Sequence, residues 1–528
     1  MRFVVILMLG TTLLMSGCIK VGPDFTTPPA PVADSWMEPE NQQLTAKSVP
    51  HEEWWTVFND PILNKLVEDA YQQNLTLQIA GLRILEARAQ LGIATGNLYP
   101  QQQQLFGGAA AVGGSRNAAN SAGGDLHFKD LNSSMDAAWE LDFWGKFRRG
   151  VEAADAQFLA ATADYEDVMV TLTAEVARAY ILVRTNEERI RVAEASVKIQ
   201  KRSLEIAENR FDGGLVTELD VQQARTLLAN TSASIPRFQL DYHQAKNALS
   251  VLLGQPPGDL KAILNPPGSV VGIPKAPAEV AVGVPADLLR RRPDVRRAEL
   301  QAASQSALVG VARADLFPHF TLIGSIGLQT SESSLTRNGS SSFSDLFESD
   351  SMTYFAGPSV TWDLFNYGRI KNQIRVQDAR LQQLVVNYQN TVLRAAQETE
   401  DAMIGFLKKQ QEALFLNDAV TASKRSVDIS MLQYGEGLTD YQRVLDAQRN
   451  LAIDQDALAG VQGSVVLNLV SMYKALGGGW QARAGQDFVK PETQQEMAER
   501  TDWGGLLEEP KQEATESNED SDWLWPDW

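Results

Sequence analysis

Cysteine is almost missing from this 528-residue chain: Cys18 stands alone, so no internal disulfide is available. Histidine is nearly as scarce. His51, His127, His243 and His319 are scattered without metal-ligand spacing,. Gly477-Gly478-Gly479 does not follow the phosphate-loop pattern,. No constellation suits catalysis, a metal or a cofactor, so neither an enzyme nor a cofactor carrier is expected. Positive charge is also short. The formal charge of −19 argues against nucleic acid as a partner. No apolar run reaches the length of a membrane-spanning helix.

The apolar run that does exist, residues 3–16 behind Arg2, is too short to span a bilayer and reads as a signal-peptide core,. It ends at Ser16-Gly17-Cys18. Small residues directly before a cysteine resemble the lipobox of bacterial lipoproteins, with Met15 where that box usually has Leu. The resemblance implies cleavage before Cys18 and multiple acylation of it, since a single acyl chain anchors only marginally. A spare thiol is the other reading. At the far end, residues 490–528 hold about nine of the net negative charges. They lack a helix or strand pattern and are expected to be disordered. For the terminal Trp523-Leu524-Trp525-Pro526-Asp527-Trp528, docking and a free tail both stay open.

The chain also repeats itself. Gly145-Lys146 lies 223 residues before Gly368-Arg369, and matches at that offset run on for about 80 positions. Val151, Phe158, Tyr165, Leu172 and Ala179 fall opposite Ile374, Leu381, Tyr388, Ala395 and Ala402. Glu175 falls opposite Glu398, Lys201-Arg202-Ser203 opposite Lys424-Arg425-Ser426, and Gly214-Leu215 opposite Gly437-Leu438. One structural unit used twice makes a pseudo-symmetric pair. Tyr99-Pro100 matches Phe317-Pro318 at an offset of 218, so the second unit carries five extra residues. The Ser-rich stretch 331–350, read as a loop, is the place that tolerates them.

Each unit contains alternating residues. Leu131, Ser133, Met135, Ala137, Trp139, Leu141 and Phe143 share one face, with Asn132, Ser134, Asp136, Ala138, Glu140 and Asp142 on the other,. Phe320 to Gln329 and Thr353 to Leu364 repeat the pattern; the stretch after Pro100 is weaker. Strands of about ten residues with this period suit a transmembrane β-barrel, and Trp139, Phe143, Trp144, Tyr354, Trp362, Phe365 and Tyr367 cluster at strand ends as aromatic girdles do. A soluble sheet with one wet face is the competing reading. Four strands cannot close a barrel, and open edges are not tolerated in lipid, so a membrane barrel requires several copies of the chain.

From about Phe147 to Phe211 there is no proline and hardly a glycine, which predicts a helix of roughly 95–100 Å. Phe158, Tyr165, Leu172 and Ala179 form a heptad seam,. Residues 369–434 do the same. Each long helix meets a turn, Asp212-Gly213-Gly214 or Gly435-Glu436-Gly437, and a return helix follows over 215–253 or 438–475. Each long helix grows directly from a membrane-type strand, which a free coiled coil does not explain.

Four stretches resemble the outer-membrane efflux protein family, the TolC- and OprM-like channels, and within it the NodT-type lipoprotein branch that serves RND multidrug pumps. They are Cys18-Ile19-Lys20-Val21-Gly22-Pro23-Asp24-Phe25; Trp54-Trp55-Thr56-Val57-Phe58-Asn59-Asp60-Pro61 with Leu63 and Leu66; Val284 to Val295 around Arg290-Arg291-Arg292-Pro293-Asp294; and Leu445-Asp446-Ala447-Gln448-Arg449. The similarity covers about 18–480. It implies an α+β membrane protein, a homotrimer with a 12-stranded outer-membrane β-barrel, four strands per chain. A 12-helix α-barrel would continue it through the periplasm inside a mixed equatorial belt. On that plan 1–17 is signal peptide and 18–60 the lipidated segment and part of the belt. Residues 61–253 and 285–475 are the two repeats, each of helix, β-hairpin, long helix and return helix. Residues 254–284 link them through the belt, and 476–528 add a last belt piece and the acidic tail. The Arg290–Arg292 run reads as structural charge beside a helix start, with an anion site as the alternative.

The same resemblance places a gate just past the two turns. Asp446 and Arg449 match the family's acidic ring residue and its basic companion. Tyr434 matches an aromatic hydrogen-bonding position and Asp220 an acidic one. Gln442 stands where a relative carries a constricting Leu. Asp446 and Arg449 also read simply as solvated helix charges one turn apart. The function implied is a passive exit duct for drugs and other toxic small molecules, fed by an inner-membrane RND transporter through a periplasmic adaptor. A duct for type I protein secretion is the alternative; the lipobox and the Val284–Val295 signature favour efflux. A periplasmic coiled-coil scaffold, which would form no pore, is a third reading.

Overall fold

A computed structural model describes residues 20–33, 35–37, 44–45, 52–117, 126–266, 272–277, 280–281, 291–332, 342–483 and 485–507. The signal segment, Cys18, the first part of the Val284–Val295 signature (with Arg290) and the aromatic tail lie outside them. Among the described residues no helix is long and apolar enough to cross a membrane.

The repeat shows as two similar runs of elements. The first holds α1 (Pro61–Gln73), α2 (Leu75–Gly96), β1 (Gln102–Gly113), β2 (His127–Glu140), α3 (Lys146–Asp212) and α4 (Glu218–Leu252). The second holds α5 (Pro293–Ala314), β3 (His319–Glu332), β4 (Met352–Thr361), α6 (Arg369–Gly435) and α7 (Tyr441–Ala475). The long helices α3 and α6 are each 67 residues, about 100 Å. Each starts behind a left-handed glycine, Gly145 at φ 75° and Gly368 at φ 83°, a conformation without penalty only for glycine. The Asp142 carboxylate accepts hydrogen bonds from the Phe147 and Arg148 amides at 3.0 and 2.9 Å, capping donors the new helix leaves open.

The return helices close the same way twice. The α2 N-cap residue Asn74 donates from Nδ2 to the Leu252 carbonyl at 2.9 Å. The α5 N-cap residue Arg292 donates from Nη1 to the Ala475 carbonyl at 2.6 Å. Each bond ties the end of a return helix to the start of the short helix above it. Arg292 is buried and also holds Asp294 at 2.8 Å and Glu398 at 2.9 Å, so this part of the arginine run is structural.

The four strands form one antiparallel sheet in the order β1-β2-β3-β4. Its register decides which way side chains point. Leu105 pairs with Met135, Met135 with Ile326, and Ile326 with Tyr354. Because pairs share a face, Leu105, Leu131, Met135, Trp139, Leu322, Ile326, Tyr354 and Val360 make one apolar face. Asp130, Asp136, Glu140, Thr321, Ser325 and Ser359 lie on the other. β1 and β4 each keep one edge unpaired within the chain. Among the helices, α3 packs against α2 and α4 on one side and α5 and α7 on the other, while α6 packs against α5 and α7. The open flanks, β1 with α2 and α4, and β4 with α6, coincide in both layers. β4 and β1 run in opposite directions along the sheet, so a strand order continued from one edge to the other would keep the antiparallel pattern.

The belt holds the largest core. Trp54, Trp55, Phe58, Leu63 and Leu66 pack with Tyr180, Ile181 and Val183 of α3, Phe406 of α6 and Leu469 and Met472 of α7. Trp54 stacks on Tyr473 with centroids 5.2 Å apart, and the Tyr71 hydroxyl is 2.7 Å from Thr173 Oγ1. Leu264, Ile273 and Ala276 join this core from the linker. Two expectations need correction. The first part of the acidic tail is ordered: α8 (Pro491–Arg500) starts on a proline with Glu492 in its first turn. Val489, Met497, Trp503 and Leu507 pack with Leu82 and Leu85 of α2, a sparse apolar contact set hidden among acidic residues. The Ser-rich stretch is not wholly loop either, since residues 331–332 extend β3 and 343–351 coil into two short 3₁₀ turns.

Candidate gate at the helical tip

Both hairpins of helices turn on the same device. Gly214 and Gly437 sit at φ 70° and 75°. The Leu215 amide donates to the Arg210 carbonyl and the Leu438 amide to the Gln433 carbonyl, each at 2.8 Å. This left-handed glycine cap satisfies carbonyls that a helix end otherwise leaves open. Behind the turns lies a small core of Ala207, Val221, Ala224, Leu227, Tyr434, Tyr441, Val444 and Leu445.

Gln442, Asp446 and Arg449 occupy successive turns of one stripe on α7. Gln442 Nε2 donates to both Asp446 oxygens at 3.1 and 3.2 Å. Arg449 Nη1 meets Asp446 Oδ1 at 3.3 Å, with both side chains 51% exposed. Within one chain this is an intrahelical pair, worth about 0.3–0.5 kcal/mol. Arg449 also borders a groove of about 280 Å³ between α3, α4 and α7, where Arg189 clasps Asp456 at 2.7 and 2.9 Å.

Tyr434 is separate from that row. It is buried, its hydroxyl has no partner, and its ring meets Tyr441 edge-on at 5.2 Å. Tyr441 bonds Ser203 Oγ at 3.0 Å. Burial raises the pKa of both tyrosines, and the nearby Asp220 carboxylate adds to the rise. Asp220, in the first turn of α4, is thus brought to Tyr434, while Asp446, Arg449 and Gln442 form their own group.

Arg210 was not singled out from the sequence. Its guanidinium lies 4.7 Å over the Tyr434 ring and donates to the Tyr434 carbonyl and, at 3.2 Å, to that of Gly435. It locks the end of α6 to the end of α3. The repeat offset held the signal: Arg210 falls opposite Gln433, Tyr434 opposite Phe211, Asp446 opposite Gln223, Arg449 opposite Thr226, Gln442 opposite Leu219 and Asp220 opposite Arg443. These six tip residues sit where the two copies disagree. The left-handed glycines, Gly145 with Gly368 and Gly214 with Gly437, sit where they agree.

The model for outer membrane efflux proteins matches residues 66–255 and 284–478. The probable outer membrane lipoprotein SilC of Salmonella typhimurium is 29% identical over 480 residues, 90% of this chain and 98% of that protein. The toluene efflux pump outer membrane protein TtgC of Pseudomonas putida is 30% identical over 485 residues, 90% of this chain and 96% of that one. Among solved structures, the outer-membrane channel OprN superposes with a TM-score of 0.80 at 32% identity, over 88% of this chain and all of the other. The fold is that of trimeric outer-membrane channels, α+β with four strands from each chain.

Proposed function

The chain belongs to the outer membrane efflux protein family, and from that premise we propose that three copies form a passive exit duct of an RND-type efflux system. The observation that carries the reading is the shared open flank. One edge of the sheet and one flank of the helices are free on the same side, so one closure seals barrel and helical tube together, apolar face out and polar face in. An inner-membrane transporter supplies the energy, and a periplasmic adaptor joins it to the tip. The duct carries no enclosed selective pocket in this reading, so the pump chooses among drugs and toxic small molecules. No observation here favours protein secretion.

Lipidation of Cys18 fits the described strap that follows it. The Val21 amide donates to the Trp144 carbonyl at 3.0 Å, and Arg149 reaches the Val21 and Gly22 carbonyls and Asp24. A Cβ on Gly145 would lie 2.9 Å from Lys20 Cα. Lys20 is therefore pressed against the strand-to-helix junction, which supports a lipid anchor on this side of the sheet.

The gate reading places Asp446, Arg449, Gln442, Tyr434 and Asp220 on contacts between copies at the tip. One exposed pair holds too little to lock a pore. A three-fold ring in which the row pairs between copies, supported by Asp220 and Tyr434, would hold a few kcal/mol at about 0–1 kcal/mol for each contact. Asp446→Ala with Arg449→Ala should raise single-channel conductance of the folded trimer and admit more antibiotic. Unchanged conductance in a folded double mutant would move the closure elsewhere.

A further inference from the structure

A membrane barrel carries aromatic residues at both interfaces, but the strands here furnish mainly one of them. Trp139, Trp144, Trp362, Phe365 and Tyr367 all lie at the helix end; Trp362, Phe365 and Tyr367 are 54%, 89% and 100% exposed. At the outer end the apolar face finishes instead on Lys129 and Glu332, paired at 2.9 Å. Among the described strand residues, Tyr354 is the one Phe, Tyr or Trp near that rim on this face.

The described part of the second hairpin's loop, 342–351, folds back over that rim. Thr330, on the apolar face beside Leu131, is only 6% exposed and donates to the Ser342 carbonyl at 3.3 Å. Gln329, pointing to the opposite face, stays exposed, so the loop covers the outward side. Lys129 Nζ lies 6.0 Å over the Phe343 ring. Leu346 is buried at 8%, while Phe347 is 84% exposed. A capping box between Ser342 and Asp345 and a bond from Ser351 Oγ to the Asp345 carbonyl at 2.6 Å hold the turn.

We infer that this turn is the outer aromatic anchor, placing Phe347 and Phe343 at the boundary between acyl chains and headgroups of the outer leaflet. Three observations choose lipid as the occupant. The turn lies over Thr330, which pairs with Leu131 at the outer end of the apolar face. It packs on β2 and β3, the two inner strands of the sheet, so a neighbouring copy joining at β1 or β4 does not cover it. Strand β4, with ten residues, spans about 25 Å when tilted as barrel strands are, and Trp362 marks its other end. The five-residue excess of the second repeat thereby acquires a role that the first hairpin lacks.

The proposal rests on the barrel reading, and conductance of the same labelled trimers reports on that reading separately. Phe347→Cys trimers carrying an environment-sensitive fluorophore are placed in phospholipid nanodiscs with nitroxides at the headgroup, high in the chain or deep in it. Labelling of the parent chain, whose one cysteine is Cys18, gives the background. Quenching by the headgroup and shallow nitroxides, with loss of the iodide quenching seen at Asn117→Cys in the first hairpin, is the expected result. Iodide quenching equal to that at position 117 would place the turn in water and overturn the proposal. Protection from both iodide and nitroxides would place it against protein and overturn it equally. If Phe347→Cys does not assemble, Phe343→Cys is read against the same outcomes.

Discussion

Helices α3 and α6 are the same length, begin on the same glycine conformation and share a heptad seam, yet they are buried very differently. Twenty-six residues of α3 are buried and thirteen of α6. The seam residues do not cause this, since Tyr165, Leu172 and Ala179 are buried as are Tyr388, Ala395 and Ala402. The difference lies on the other faces. Val170 is 4% exposed and its repeat equivalent Leu393 50%; Val192 is 8% exposed and its equivalent Phe415 66%. One helix is the interior stave of its own protomer, and the other is a margin awaiting a neighbour. A duplicated sequence thus supplies both a finished wall and an unfinished one, and the unfinished one is the margin on which the proposed assembly would draw.

Matched substitutions at equivalent positions test this most sharply. Val170→Asp buries an unpaired charge in a finished wall, at a cost of about 4 kcal/mol or more, and should abolish the folded protomer by circular dichroism and yield. Leu393→Asp should leave the protomer helical but prevent assembly, seen as loss of the trimer by light scattering. A stable Leu393→Asp trimer would mean that this margin faces solvent or the lumen, and would break the comparison.

A smaller effect distinguishes the two junctions above the return helices. The Asn74–Leu252 bond involves no titrating group, whereas Arg292 brings in Asp294. Burial alone would raise the Asp294 pKa, but the Arg292 guanidinium outweighs it and holds the carboxyl below its ordinary value of 3.8. A depressed carboxyl contributes stability above pH 3.8 that is lost as pH falls through the lowered value. Glu166 and Asp167, raised by burial, act in the opposite sense. The difference between the native protein and Asp294→Asn therefore isolates the junction. The native trimer should be the more heat-stable at pH 6, by about 1–3 kcal/mol, and the gap should narrow progressively as the pH falls below 3.8,.

Much of this was legible in the chain. The long helices fall within a residue or so of their expected ends because nothing between Phe147 and Phe211 interrupts them and a glycine pair does. Alternation placed the strands, since a half-buried strand has to alternate. Three things were not legible. Which copy is interior depends on what each helix packs against. The ordering of 490–507 rests on three apolar residues in an acidic stretch, Met497, Trp503 and Leu507, with Val489 just before it. Arg210 looks like one charge among many until its Tyr434 contact is seen.

The smallest expected effect tests whether the tip is finished within one protomer or between copies. The Tyr434 hydroxyl is buried without a partner, while its repeat equivalent Phe211 is 42% exposed and has no hydroxyl. An unpaired buried hydroxyl costs about 1–3 kcal/mol, so a chain that never used it would be steadied by its removal. We expect the contrary in the trimer. Tyr434→Phe should keep the trimer intact and raise its conductance, though less than the Asp446→Ala, Arg449→Ala pair, because the hydroxyl is buried within its own protomer and a neighbour reaches it only if the tip rearranges on assembly. A trimer made more heat-stable with unchanged conductance would show that no neighbour reaches the hydroxyl. Tyr434 would then serve only as the ring on which Arg210 rests, and the gate would reduce to the Gln442, Asp446 and Arg449 row.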